Sequence, residues 1–167
     1  MTTGQLAPPW QVSRWFNSAP LALADLHGRV VVAHAFQMLC PGCAMQALPQ
    51  MQRVRQTFPA DRVAVIGLHT VFEHHEAQGP LALEAFLHEY RYAFPVGVDA
   101  HADGDPLPLT MRAYAMQGTP TLMLIDAQGR LREQHFGVLD DLVLGVALGR
   151  LLGEVDAAEA GAAGASP

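Results

Sequence analysis

The sequence predicts an α/β domain, a mixed β-sheet flanked by helices on both faces. Three observations lead there. Strand-like runs alternate with helix-period stretches up to residue 116, as parallel strands joined by helical crossovers do. Two further strand-like runs then flank a tight turn at 127–130, and one helical stretch closes the chain. The 167 residues, half of them hydrophobic and 16% charged, suit one core. A single domain is expected over 1–153, with residues 1–28 as an N-terminal arm and 154–167 as a disordered Ala/Gly-rich tail.

The elements follow in order. Within the arm, Pro8, Pro9 and Pro20 interrupt regular structure, and residues 21–26 read as a short strand or turn. Residues 30–36 (Val-Val-Val-Ala-His-Ala-Phe) are β-branched and nearly continuously apolar, as in a strand buried on both faces. From Pro41 the period becomes helical, with Met45, Leu48, Met51 or Gln52, Val54 and Phe58 in phase. Pro49 lies inside that pattern and should kink the helix. Residues 63–69 form a second buried strand and 70–79 a loop. A helix over 81–92 presents Leu83, Phe86, Leu87 and Tyr90. A strand is expected over 94–98 and a short helix over 109–116. The hairpin pairs 121–126 with 131–136, and the last helix, 138–152, turns Leu142, Val146 and Leu151 or Leu152 inward.

Composition removes several classes of function. All ten basic residues are Arg, which excludes a Schiff-base enzyme, a lysine-bearing phosphate loop and a lysine-activated nucleophile. The net charge of -6 and the lack of a basic stripe argue against nucleic acid as a partner. No run approaches the roughly 18 apolar residues of a membrane span, and no signal-like start precedes the arm, so no membrane role and a cytoplasmic home are expected. Ser13, Ser18 and Ser166 lie in no nucleophile motif.

The two cysteines, Cys40 and Cys43, stand in Cys-Pro-Gly-Cys, a spacing that chance would give in roughly 1% of cases. A four-thiolate zinc site is out of reach, and so short a loop gains little from a structural disulfide. The motif falls between a buried strand and a helix start, where free N–H groups and the helix dipole favour a thiolate. Cys40 is therefore the expected exposed nucleophile and Cys43 its buried partner. Farther on, Gly118-Thr119-Pro120-Thr121 heads a strand, and its X-Pro bond is a candidate for cis.

An apolar strand, a CxxC at a helix start, and Gly-Thr-Pro-Thr before an apolar strand ending Ile-Asp resemble the thioredoxin superfamily. The strand–helix segment inserted between Cys43 and Pro120, with the N-terminal arm, makes the chain most similar to the TlpA-like and redoxin branch over roughly residues 7–152. The resemblance implies a thioredoxin-like fold and a thiol–disulfide oxidoreductase that needs no cofactor. Its partners would be protein or small-molecule disulfides and dithiols, together with a redox partner. Cys40 would attack, Cys43 would resolve, and Thr119 and Pro120 would face the pair and bind substrate beside Pro41 and Gly42. His34 falls where thioredoxins carry a buried Asp, which makes it a candidate to handle the proton of the resolving thiol; the other reading is a core histidine. Leu39 replaces the usual Trp before the first cysteine, Pro41-Gly42 reverses Gly-Pro, and Pro49 lies one place later than the thioredoxin helix proline.

Two other functions share parts of this pattern. Peroxiredoxins place Thr or Ser three residues before the reactive cysteine and Pro seven before it, where this chain has Gln37 and Ala33. A Cys/His metal-binding module would draw on His69, His74 and His75 with the thiolates, although no metal is expected. The run 99–105 resembles the start of a calcium loop, but Thr110 occupies its twelfth position instead of Glu, so it reads as a turn.

Overall fold

Strands β2 (Val30–Phe36) and β3 (Val63–His69) are buried at every position and pair in parallel along their whole length, from Val30 beside Val63 to Phe36 beside His69. Continuous apolar character produced both, because each face of the sheet is covered. The computed structural model describes residues 4–164. Around this central pair lie the edge strand β1 (Val12–Phe16), helix α1 (Leu48–Thr57), helix α2 (Pro80–Glu89) and strand β4 (Val96–Asp99). Helix α3 (Leu109–Ala113), strands β5 (Thr121–Ile125) and β6 (Leu131–Phe136), and helix α4 (Asp141–Gly164) complete the fold. The sheet order is β1-β4-β3-β2-β5-β6; β4 runs parallel to β3, while β1, β5 and β6 each run antiparallel to their neighbours.

The pleat sorts the core into two layers. Val32, Phe36 and Val65 pack under Leu48 and Met51 of α1, Leu83 and Leu87 of α2, and Leu144 and Leu148 of α4. Val31, Ala33, Ala35 and Ile66 face Met111 and Tyr114 of the α3 region and Leu26, with Trp10 and Trp15 of the arm packed against them.

Several expectations need correction. The arm is part of the sheet: Trp15 lies beside Gly97 and Phe16 beside Val96. Residues 21–26 form neither strand nor simple turn but a 3-10 turn at Leu23–Leu26. Pro49 does not act by a kink alone. A wide π-turn over Cys43–Ala47 precedes it, with the Leu48 N–H donating to the Cys43 carbonyl. That turn accommodates the missing proline N–H and changes the helical phase, which leaves Met45 76% exposed instead of inward. On α4, Leu142 and Val146 are exposed, and the inward row is Leu144, Ala147, Leu148, Leu151 and Val155. A helix apolar on every side does not reveal its phase.

The tail expected to be disordered is helical through Gly164. Alanine is the strongest helix former, and no proline intervenes before that point. Val155 packs into the core, Arg62 pairs with Asp156, and Arg132 donates to Glu154 at 3.0 Å. Residues 165–167 lie outside the described residues.

Candidate active site

Cys40 follows β2 after a three-residue turn closed by its N–H to the Gln37 carbonyl at 3.3 Å, and the Ala44 N–H then donates to the Cys40 carbonyl at 3.0 Å, opening the helix. The first turn therefore carries Cys40, Pro41, Gly42 and Cys43, as the motif predicts. The Cys43 N–H donates to Cys40 Sγ at 3.2 Å, so the helix start presents a backbone donor to that sulfur. Both cysteines are free thiols; Cys40 is half-buried and Cys43 fully buried.

The Thr119–Pro120 peptide bond is cis. Its loop hangs over the pair, and the Thr119 carbonyl accepts the Cys40 thiol at 3.5 Å. Gly42 is pressed against the same loop, because a Cβ at that position would lie 3.5 Å from Pro120 Cδ and 3.8 Å from Val138 Cγ2. Pro41 is exposed on the first turn. Cys40, Pro41, Gly42, Cys43, Thr119 and Pro120 thus form one cluster.

Burial is the main cause that pushes the Cys43 thiol up to about 12, and Cys40 adds to it; the Gln37 backbone N–H and the Thr119 side chain act in the opposite direction by favouring the thiolate. His34 is on the sheet face below, 1% exposed, and neither ring nitrogen closes a hydrogen bond of normal geometry. Burial lowers its pKa to about 4, with the Gln50 carboxamide opposing and His135 adding to the effect. His135 occupies the same cross-strand row, through Leu122. His34 is not among the groups that act on Cys43.

Sequence reasoning missed a set of glutamines above the thiols. Gln37 is 1% exposed, and its Nε2 donates to Thr119 Oγ1 at 3.3 Å and to Glu73 Oε1 at 3.4 Å. Its Oε1 accepts the Phe72 N–H at 3.3 Å and Gln78 Nε2 at 3.1 Å. Gln78, 3% exposed, accepts the Leu39 N–H at 3.1 Å and donates to the Glu73 carbonyl at 2.9 Å. Nothing in the local pattern signals a partnership across 41 residues; the one available cue was an amide next to a reactive cysteine where peroxiredoxins need a hydroxyl.

The metal rival finds no donor set. His69 is buried against Phe36 with ring centroids 5.3 Å apart, and burial lowers its pKa to about 4. His75 turns to the Pro106 carbonyl at 3.1 Å. Among the described residues no group of three or more His, Cys, Asp or Glu could hold a metal ion. The calcium-like run is indeed a turn, in which Asp99 accepts the Thr110 N–H at 2.8 Å and the Met111 N–H at 3.1 Å.

With this geometry in view, residues 3–134 match the AhpC/TSA family. The chain belongs to the AhpC/TSA family. Its Cys40/Cys43 pair marks it as a thiol–disulfide oxidoreductase of this redoxin family. It is 58% identical to a thioredoxin-like superfamily protein of known structure, with a TM-score of 0.87 and coverage of 89% of this chain and 97% of that one. A thiol-disulfide isomerase from Corynebacterium glutamicum is 46% identical over 87% of this chain and 96% of its own, with a TM-score of 0.85. A thioredoxin-like protein in the oxidized form shares the fold at 22% identity, with a TM-score of 0.75 and coverage of 92% and 99%. No curated protein matches the chain.

Proposed function

We propose that the chain exchanges disulfides on protein or small-molecule substrates through a mixed disulfide, using its Cys-Pro-Gly-Cys dithiol. The observation that carries this reading is the asymmetry of the pair: a half-exposed Cys40 receives the Cys43 N–H at 3.2 Å, while Cys43 is fully buried. Cys40 thiolate attacks one substrate sulfur; the Cys40–substrate bond forms as the substrate disulfide breaks, and the departing sulfur is protonated by solvent. Cys43 sulfur then attacks Cys40 Sγ. The internal disulfide forms, the second substrate thiol leaves, and two electrons have passed from the pair to the substrate. A redox partner restores the dithiol, and the same steps in reverse oxidise a substrate. Thr119 and Pro120 supply the backbone against which a substrate chain would lie, beside Pro41 and Gly42. The isomerase activity named for the Corynebacterium glutamicum protein belongs to the same chemistry.

His34 enters this scheme as a packing residue. A proton passing from a thiol near 12 to an imidazole near 4 runs steeply uphill, so Thr119 and the Gln37 N–H are better placed to ease formation of the Cys43 thiolate. Peroxide reduction is less well supported, because Gln37 stands at the hydroxyl position and its carboxamide is committed to Thr119, Phe72 and Gln78.

Cys40→Ser should abolish disulfide reduction, and Cys43→Ser should accumulate the mixed disulfide with substrate. Free turnover by Cys43→Ser would overturn the mechanism. A cytoplasmic home is part of the proposal and calls for a reducing couple, near about -270 mV in an equilibrium titration, whereas about -120 mV would mark an oxidant and point to export.

A further inference from the structure

We propose that the end of the sheet remote from the thiols carries a binding site for a small amphipathic carboxylate, whose apolar body enters a cleft beside β3 and whose head lies between Arg29 and Arg55. The site is independent of the disulfide chemistry above.

The cleft exists because the sheet stops short. β3 pairs with β2 along its whole length, but β4 joins it only from Gly67 onward, where the Gly67 N–H donates to the Pro95 carbonyl at 2.9 Å. One step earlier, a parallel ladder would set the N–H of residue 95 against the Val65 carbonyl, and proline has none to give. Val63–Ile66 therefore have a strand neighbour on one side alone. Beside them opens a cleft of about 320 Å³, walled by Val65, Phe94 and Phe58 from one core layer and by Ile66, Leu26 and Leu21 from the other.

Charge decides what can sit there. The chain carries a net charge of -6, yet among the described residues the cleft lining holds no Asp or Glu, and its ionisable side chains are Arg29 and Arg55. Arg14, Arg53, Arg62, Arg112 and Arg132 each pair with a carboxylate. Arg29 instead reaches only the neutral Asp25 and Ala60 carbonyls, at 3.3 and 3.4 Å, while the Asp25 carboxylate is taken by the Ala22 N–H at 2.8 Å. Arg55, exposed in the last turn of α1, has no carboxylate partner among the described residues. Two guanidiniums without an anion above an apolar floor match one anionic head on an apolar body, and they repel a cation with the same tail. At about 30 Å³ for each water-sized group the cleft takes about ten of them, the size of octanoate. The thiols follow the Phe36 end of β2, opposite to the Val63 end of β3 where the cleft lies, so a bound carboxylate leaves them open.

Titration calorimetry with octanoate, at neutral pH and low ionic strength, should show one saturable site. Octyltrimethylammonium, which has the same tail and the opposite charge, should bind at least about tenfold more weakly, and Arg29→Gln/Arg55→Gln should lose about tenfold in octanoate affinity, the scale of one hydrogen bond between charged groups. Amide NMR shifts should place octanoate at residues 58–66 and 93–95 and leave 40–43 unmoved. Arg55 makes no hydrogen bond or ion pair among the described residues, so Arg55→Gln alone, with a loss of about threefold, decides the matter should the double variant fail to fold. The proposal is overturned by the absence of saturable binding, by equal affinity for the ammonium, by unchanged affinity in the arginine variants, or by shifts centred on the thiols.

Discussion

The thiol pair has a polar roof and an apolar floor, and the two manage buried polar groups in opposite ways. In the roof, the amides of Gln37 and Gln78 are bonded at both ends, and backbone groups of Leu39, Phe72 and Glu73 complete the set. In the floor, His34 and His69 are each 1% exposed, and none of their four ring nitrogens closes a hydrogen bond. Orientation is specified where hydrogen bonds are complete, and protonation state is specified where they are missing, because burial is the main force that keeps both imidazoles neutral. A reactive thiol needs the first kind of control. The strands that carry it tolerate the second.

The largest expected effect is on stability against pH. Both histidines have folded pKa values near 4 against 6.5 for the free side chain, so the unfolded chain binds more protons in between. Their contribution is fully present above about 6.5 and is lost as pH falls toward 4, on the order of 3 kcal/mol for each histidine. The thiol pair between them has the opposite sense. Cys43, raised from 9.0 to about 12, stabilises the fold below its unfolded value and ceases to do so as pH rises through that window. Denaturant unfolding from pH 7 down to 4.5 should show the acid loss, and a His34→Leu/His69→Leu variant should flatten it. Equal slopes for the two proteins would mean that the floor is not held neutral.

A smaller effect belongs to Gln50, the polar side chain that reaches from the floor toward the surface. Its Nε2 donates to the Leu139 carbonyl at 2.7 Å and to Asp141 Oδ1 at 2.8 Å, tying α1 to the start of α4, while its carboxamide partly offsets the depression of His34. Gln50→Met should cost about 1 kcal/mol in stability. It should also move the His34 imidazole titration, followed by NMR, to lower pH. An upward shift would show that Gln50 does not support the protonated ring.

This division also governs what could be read from sequence. The dithiol, the two central strands and the Thr119–Pro120 turn were legible because each depends on residues adjacent in the chain: β-branched runs, a CxxC at a strand-to-helix junction, a proline heading a strand. Gln37 and Gln78 were not, since their partnership exists only once the 71–78 segment has folded back over the thiols. β1 was hidden because a five-residue edge strand pairs with β4 across some eighty residues of chain. The phase of α4 was lost for another reason: apolar residues occur on every side of it, and only the sheet beneath decides which of them is buried.

In the proposed scheme His34 is a bystander to the resolving step. Its position six residues before Cys40 suggested a proton carrier for Cys43, and roof and floor make different demands on that idea. A carrier must accept a proton at working pH, but burial keeps His34 neutral down to about 4, and His34 is not among the groups that act on Cys43. His34→Leu should therefore leave the pH profile of the Cys43-dependent release of the second substrate thiol within about twofold of wild type, even as it alters acid stability. If His34→Leu instead slowed the second release near neutral pH, proton transfer would have to cross from roof to floor, and the two halves of the site would be one catalytic unit.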